Sequence, residues 1–303
     1  MNQTPDSSTS AELTDFRRNR WRALAATALV AASAALAAGA WFASALGGDE
    51  PTGAFIVAVG LLAGPAVLVV VLAYFAVIKT PLDRQFAAAV LPPMLRTTFG
   101  EFRYRSDEEL DPATWRDSGL FPSDLHSFSN HHLVETRREA VDLRLSRLEL
   151  DQPFSVDRLF AEPDTNISFD GLVAVADPVA IGDFTVVVGP PGADLDGLTK
   201  LVRHARGDDE TELTTLAIDD ASGSVFDAPG QARDLAASRG IQQLVDDGFC
   251  AAIAVNDGVA TIALPLSFPA PDPDPRNPVI DDSETERLGK ALGSLAHLID
   301  AMT

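Results

Sequence analysis

Cysteine and basic residues are scarce in this chain. It has 303 residues and a single cysteine, Cys250, which excludes a disulfide framework and a CxxC zinc site. Its 23 Lys and Arg stand against 44 Asp and Glu, for a net charge of −21. A nucleic-acid binder needs clustered basic side chains to contact phosphates, so this composition predicts no nucleic-acid partner.

Charge is missing altogether from two long stretches. Residues 23–46 and 54–78, which are 24 and 25 residues long, contain no Asp, Glu, Lys or Arg. As helices each would be about 36 Å long, enough for a hydrocarbon core of about 30 Å. Lipid offers the backbone no hydrogen-bond partner, so both stretches should be helical. The connector 47–53 has room only for a turn, which predicts a two-helix transmembrane hairpin over residues 23–78.

Basic residues flank only the outer ends of this hairpin. They are Arg17, Arg18, Arg20 and Arg22 before the first span, and Lys79 and Arg84 after the second. The connector contains Asp49 and Glu50 and no basic residue. Because Lys and Arg are enriched on the cytoplasmic side, we expect both termini in the cytoplasm. The chain is thus predicted to be a multi-pass protein of the inner (plasma) membrane, with the lipid bilayer as its partner.

A cleaved signal peptide is the alternative interpretation of residues 23–46. Arginines precede this stretch, and small residues such as Ala38 and Ala40 lie near its end. The stretch is longer than the apolar core of a signal peptide, about 7–15 residues, which favours a retained span. Neither span holds an ionisable residue, so the hairpin is predicted to be an anchor and not a transporter.

Three further segments are predicted outside the hairpin. Residues 1–22 form a disordered cytoplasmic tail, and residues 79–100 form a juxtamembrane helix or linker in which Thr80 caps a helix that Pro92–Pro93 ends. Residues 101–303 form a cytoplasmic domain with 16 basic and 38 acidic residues, a net charge of −22. This charge is consistent with solubility, with adaptation to a salty cytoplasm or with a binding face.

Alternating apolar residues predict strands in residues 101–303. Val141, Leu143 and Leu145 alternate, and Leu148 and Leu150 continue out of phase, which indicates a strand with a bulge. Two hairpins are predicted, one joining runs 172–176 and 184–188 and one joining 250–255 and 259–266 through Asn256-Asp257-Gly258.

Two helices are predicted near the C-terminus. One starts at Ser238 and includes Ile241, Leu244 and Val245. The other follows the capping box Ser283-x-x-Glu286 and has an apolar stripe at helical spacing: Leu288, Ala291, Leu292, Leu295, Ile299 and Met302. Strands joined by hairpins, with few helices between them, predict an α+β fold with a mainly antiparallel sheet.

The order of short motifs resembles the DUF3137 family of bacterial membrane-anchored proteins of unknown function. The motifs are Ser118-Gly119-Leu120-Phe121, a strand pair at His131–Leu150, the strand Phe169-Asp170-Gly171-Leu172-Val173-Ala174-Val175, and Gln231-Ala232-Arg233. The sequence departs from the family at Asp234, where an aromatic residue is common, and in the Phe spacing before Ser222. The resemblance covers about residues 20–300 and implies an architecture but no activity.

Candidate nucleotide and metal sites are weak. Gly189-Pro190-Pro191-Gly192 begins like a P-loop, but Asp194 and Asp196 stand where Gly-Lys-Ser/Thr would bind phosphates. His126, His131 and His132 lie near Ser127 and Ser129, yet adjacent strand residues point to opposite faces, so one pocket cannot easily use both His131 and His132. We therefore expect a turn and surface histidines, with no cofactor and no metal.

Other candidate groups have simple structural interpretations. Acidic clusters lie at Asp208-Asp209-Glu210 with Glu212, at Asp219-Asp220, and at Asp281-Asp282 with Glu284 and Glu286. None has the spacing of a calcium-binding loop, so they are interpreted as solvated loops or helix caps. Cys250 is interpreted as a buried, inert thiol, and the sequon Asn166-Ile167-Ser168 as unused in a cytoplasmic domain. No catalytic residue is assigned.

Three hypotheses about function follow. The leading one is a membrane-anchored interaction or sensing module with an unknown protein partner, because no catalytic constellation accompanies the acidic domain. The alternatives are a membrane-tethered, hydrolase-like enzyme and a structural subunit of a membrane complex. Convergent titratable side chains would favour the enzyme, and a large exposed apolar patch on the domain would favour the subunit.

Overall fold

The computed structural model describes residues 7–45, 65, 67–122, 128–150, 168–207, 214–218, 221–227, 239–266, 276 and 281–303. Two compact units divide the chain. The first is Met1–Val90 with Ala270–Asp281, and the second is Leu91–Pro269 with Asp282–Thr303. Each is described by itself below.

The first unit begins with a long helix, α1, at Ser7–Ala45. Residues 7–22 are therefore helical, and the prediction that they belong to a disordered tail is wrong. The segment contains the helix formers Glu12 and Leu13, Leu13 is buried at 4% exposure, and Asp15 pairs with Arg18 at 3.5 Å. Burial of one face and i,i+3 pairing outweigh the polar composition that suggested disorder.

The second apolar stretch is described only in part. Residues 67–74 are helical and lead into a π-helical turn, Phe75–Lys79, and then into helix α2, Thr80–Phe99. The predicted connector 47–53 and residues 54–64 and 66 lie outside the described residues. The Trp21 ring of α1 lies 6.2 Å from the ring of Tyr74, and α1 also contacts the π-helical turn.

Helix α2 contradicts the predicted stop at Pro92–Pro93, because it continues to Phe99. Two prolines remove the helical hydrogen bonds to the carbonyl groups of Ala88 and Ala89. Ala88 is exposed and Ala89 half-exposed, so water can reach these carbonyls. The helix ends instead at Gly100, whose φ of +75° suits glycine and whose N–H donates to the Arg96 carbonyl at 3.1 Å.

Among the described residues, one stretch of helix, Ser10–Ala38 in α1, is long and apolar enough to cross a membrane. Signal sequences and core helices of soluble proteins meet the same criterion of length and composition. Only 6% of its most apolar window is buried, so α1 does not have the burial of a core helix.

The second unit is built on a sheet of nine strands within the described residues. They are β1 Phe102–Arg105, β2 Ser129–Arg138, β3 Val141–Leu150, β4 Phe169–Asp177, β5 Phe184–Gly189, β6 Thr214–Ile218, β7 Ala221–Asp227, β8 Ala251–Asn256 and β9 Val259–Pro265. Their order is β1-β2-β3-β4-β9-β8-β5-β7-β6, and every neighbouring pair is antiparallel. The predicted α+β class with an antiparallel sheet is confirmed.

One predicted hairpin is present and the other is wrong. Strands β8 and β9 pair through Asp257 and Gly258, whose φ values of +50° and +77° are those of a type I′ turn. Strands β4 and β5, predicted to form a hairpin, do not pair with each other. The β8–β9 hairpin lies between them, with β9 on β4 and β8 on β5.

The central strands are buried on both faces. On one face the register row Val173, Ala263, Ala252 and Val187 packs against apolar residues of helices α3 (Pro112–Arg116) and α4 (Asp196–Arg206). On the other, the row Ala174, Ile262, Ile253 and Val186 is 0% exposed. Helix α5 (Arg239–Asp246) contacts β5 and packs on α6 (Asp282–Met302), and the predicted apolar stripes of both helices are buried.

Candidate functional site

The helices of the first unit carry an exposed apolar surface. On α1, Leu29 is 70% exposed and Leu36 is 54% exposed. Val67, Leu68, Val69, Val71 and Leu72 are 44–62% exposed on the second helical stretch. Soluble proteins rarely expose contiguous apolar patches beyond a few hundred Å², and larger patches mark membrane or protein interaction sites.

Aromatic residues lie at both ends of the apolar part of α1. Trp21 packs near Tyr74 at one end, and Trp41, 71% exposed, lies 20 residues further along. At 1.5 Å per residue this spacing is about 30 Å, the thickness of a hydrocarbon core. Trp and Tyr are enriched at the two membrane–water interfaces. The aromatic spacing and the exposed apolar surface are therefore both those expected of a helix in a membrane.

The arginines before the apolar part have different environments. Arg17 is 2% exposed, whereas the Arg18 side chain is 60% exposed and Arg22 is exposed. The Arg20 guanidinium lies 4.8 Å above the Phe16 ring. The sequence presents these residues as one basic cluster, but only part of it faces outward.

A β-bulge in β2 has buried polar side chains beside it. His131 pairs with Arg147 and Val134 with Leu145, so β2 has one more residue than β3 at this point. His132 adopts a φ of +66° at the bulge, which is rare and costly for a residue other than glycine. The bulge predicted within residues 141–150 is wrong, because β3 stays in continuous register with β4 and the extra residue lies in β2.

Buried polar groups hold this bulge in place. The Ser146 hydroxyl donates to the side-chain oxygen of Asn130 and lies 2.9 Å from the His131 carbonyl oxygen. The Asn130 amide donates to the Leu110 carbonyl at 2.7 Å. Asn130 and Ser146 are at most 2% exposed. Buried polar groups need hydrogen-bond partners, and these bonds supply them.

Tyr104 contacts the strained residue. Its hydroxyl lies 3.0 Å from Nδ1 of His132, and the two rings are nearly parallel. Burial, followed by the nearby charge of Asp107, raises the pKa of Tyr104 to about 12. The phenol is therefore protonated at neutral pH, and the tautomer of His132 decides whether Tyr104 donates to Nδ1 or accepts from it.

The candidate histidines of the sequence analysis lie in β2 or outside the described residues. Nε2 of His131 lies 2.8 Å from Oγ of Ser129, and the rings of His131 and His132 are 6.4 Å apart. His126 and Ser127 lie outside the described residues. Where the structure describes the chain, no group of three His, Cys, Asp or Glu side chains is placed to hold a metal ion.

The P-loop-like segment is a turn, as interpreted. The Ala193 N–H donates to the Pro190 carbonyl at 3.0 Å, and Gly192 has a φ of +76°, the geometry of a type II turn. A side-chain oxygen of Asp194 accepts the Asp196 N–H at 3.0 Å at the start of α4. Carboxylates at a helix N-terminus stabilise the helix but repel phosphate.

Cys250 lies beside this turn. A Cβ placed on Gly189 would be 2.9 Å from its Sγ, so glycine allows the close approach. Burial raises the pKa of the Cys250 thiol, against a smaller opposing effect of Arg287. A raised pKa leaves little thiolate at neutral pH, so the thiol is a poor nucleophile.

The remaining candidates are helix termini or lie outside the described residues. Asp282 and Glu284 occupy the first turn of α6, where carboxylates suit the helix dipole. The clusters at 208–212 and 219–220, Asn166 and Ile167 of the sequon, and the segment 231–233 are outside the part that the structure describes.

Two motifs of the family resemblance have structural roles. The Ser118 hydroxyl donates to the Trp115 carbonyl at 2.5 Å, which turns the chain so that Leu120 and Phe121 enter the core. Trp115 and Phe121 pack edge to face at 5.2 Å. A Cβ at Gly171 would overlap the carbonyl oxygen of Leu264, so this position admits only glycine.

Comparison with protein-family models, characterised proteins and solved structures finds no match for this chain.

Sequence analysis missed Tyr104, Asn130 and Ser146. The phase change between Leu145 and Leu148 does not point to them, because β3 is regular there and the extra residue of the bulge lies in β2.

Proposed function

We propose that this chain is an inner-membrane protein anchored by a two-helix transmembrane hairpin, with both termini in the cytoplasm and an α+β domain that acts as an interaction or sensing module. The exposed apolar surface of α1 and residues 67–72, limited by Trp21 and Trp41, carries the proposal. Leaving this surface in contact with water would be unfavourable by a free energy of roughly 25 cal/mol for each Å².

The antiparallel arrangement is supported by the contact between Trp21 and Tyr74. Trp21 precedes the first apolar stretch and Tyr74 is near the end of the second, so the outer ends of the two stretches lie together. Arg18, Arg22 and Lys79 flank these ends, and Lys and Arg are enriched on the cytoplasmic side. The architecture agrees with that implied by the DUF3137 resemblance, which stays a prediction.

Topology is tested by two fusions after Thr303. A fluorescent protein should be bright there and alkaline phosphatase inactive. Active phosphatase with a dark fluorescent protein would place the C-terminus outside and contradict the proposal. Adding several lysines to the connector 47–53 should disturb insertion, since it would compete with the basic flanks.

The interaction role is tested by crosslinking in intact cells followed by mass spectrometry. The absence of catalytic chemistry among the described residues motivates this role, and we expect a reproducible protein partner linked to the second unit. A chain that is recovered only as a monomer, without crosslinks to another protein, would contradict it.

A membrane-tethered enzyme is the second candidate, favoured by the left-handed His132 beside Tyr104. Strained residues cluster at active sites because the strain is part of the mechanism. The purified chain would be assayed on ester, amide and phosphomonoester substrates. Hydrolysis that His132→Gly removes would support an enzyme, whereas inactivity of the unmodified chain on all three would exclude this hydrolase candidate.

A further inference from the structure

Along one side of helix α1, the residues are charged near the N-terminal end and apolar further along. Residues 15, 22, 29 and 36 are each seven positions apart, so they lie on one side of the helix. They are Asp15, Arg22, Leu29 and Leu36, and all four are exposed. Arg18 lies one turn before Arg22 on the same side. The outward arginines thus lie directly beyond the exposed apolar surface.

A second line lies on the other side of α1 and is buried or half-buried. Residues 10, 17, 24 and 31 are also seven apart, and Arg17 and Leu24 are 2% and 6% exposed. Arg17 and Arg22 are separated by about 140° around the helix. Adjacent arginines therefore have different surroundings, which the sequence does not reveal.

We infer that Arg18 and Arg22 bind the headgroups of anionic phospholipids, whereas Arg17 stabilises helix packing within the first unit. This rests on the proposed membrane anchoring. Charge complementarity and position support it, since both arginines lie within one turn of Trp21, at the end of the apolar surface. Residues 1–100 carry seven basic and six acidic side chains, against a net charge of −22 in residues 101–303. Basic residues next to an apolar helix attract anionic lipid.

The test compares lipids retained by the full chain. The protein is purified in micelles that contain equal amounts of phosphatidylglycerol and phosphatidylcholine, and bound lipid is counted by native mass spectrometry. The unmodified chain should retain more phosphatidylglycerol. Arg18→Gln and Arg22→Gln should each lower the ratio of the two lipids about fivefold. Raising the salt concentration should lower the ratio of the unmodified chain, because ions screen exposed charges.

Two variants serve as controls. Arg137→Gln removes a side chain that is 69% exposed in the second unit and should leave the lipid ratio unchanged. Arg17→Gln should also leave the ratio unchanged but lower the unfolding temperature of the helices. An unchanged ratio in the Arg18→Gln/Arg22→Gln double variant would overturn the inference.

Failure of this inference is distinguishable from failure of the anchoring proposal. A chain that resists carbonate extraction from phosphatidylcholine vesicles yet shows no headgroup preference keeps the anchor and loses the lipid site. A chain that carbonate releases from vesicles of either lipid contradicts both.

Discussion

The helical unit and the sheet unit use apolar residues in opposite ways. Leu29 and Leu36 of α1 are 70% and 54% exposed, whereas Leu143 and Leu148 of the sheet are at most 1% exposed. The charge is divided too, with a net of −2 in the helical unit and −19 in the sheet unit. This contrast shows that apolar content does not by itself determine burial. The free energy of exposing a leucine depends on the medium around it.

The largest loss of stability is expected from a substitution in the core of the sheet unit. Trp115 is 0% exposed, and among the described residues its Nε1 has no hydrogen-bond partner. Trp115→Ala should lower the free energy of unfolding by about 3–5 kcal/mol. Trp115→Phe should cost less than about 2 kcal/mol, because it keeps a ring and loses no hydrogen bond. Chemical denaturation measures both, and equal losses would contradict this account of the aromatic core.

The second-largest effect is expected from a charge on the exposed face of α1, and it tests whether this face lies in lipid. Leu29→Arg should oppose membrane insertion by about 2.5–3.5 kcal/mol, the cost of a basic residue near the centre of a spanning helix. Membrane fractionation of cells measures the inserted share. Leu29→Ile is the matched control and should insert normally. If Leu29→Arg inserts as well as its control, this face of α1 is not in lipid.

A smaller effect concerns an ion pair of the sheet unit. Arg138 makes two hydrogen bonds with Asp300 and donates to the Thr98 carbonyl at 3.4 Å. The hydrogen bond from Arg138 lowers the pKa of Asp300. Asp300→Asn should cost about 0.5–1 kcal/mol, since the pair is about a third exposed.

The same pair sets a dependence on acid pH. Because the folded state lowers the pKa of Asp300, its contribution is complete above the unfolded pKa and is lost as pH falls through the folded pKa. Thermal unfolding of Asp300→Asn and the unmodified chain should therefore converge in acid. A difference that stays constant from neutral pH to acid would contradict this assignment.

A further effect lies at alkaline pH. Tyr104 has its pKa raised to about 12, so the stability that it contributes is complete below its unfolded pKa of about 10 and is lost as pH rises through 12. Tyr104→Phe should unfold with a weaker dependence on pH in this range. Parallel stability curves for the two chains between about pH 10 and 12 would exclude a buried phenol.

Local chemistry made part of the fold predictable. The turn at Asp257-Gly258 follows from residues that tolerate positive φ, and the stripe from Leu288 to Met302 follows from a 3.6-residue period. The pairing of β4 could not be predicted from its neighbours in sequence, because β9 competes for the same edge. The helical segment 7–22 was missed since burial of Leu13 and Arg17 depends on tertiary contacts.

The candidate sites show the same limit. The Pro and Gly residues of 189–192 correctly predicted a turn. The alternation rule placed His131 and His132 on opposite faces, but His132 is left-handed at a bulge, where alternation does not apply. The different environments of Arg17 and Arg22 depend on which side of α1 is packed, and a charge count cannot show this.

The position of the β8–β9 hairpin affects how the sheet unit is made during translation. The edge of β4 is synthesised early, yet its partner hairpin begins at Ala251, 74 positions after Asp177. At ribosomal speeds the wait is about 4–15 s. During it β4 and β5 each have an open edge rich in apolar residues, the kind of edge that aggregates. A chain truncated before residue 251 would thus have two half-sheets connected only through residues 178–183.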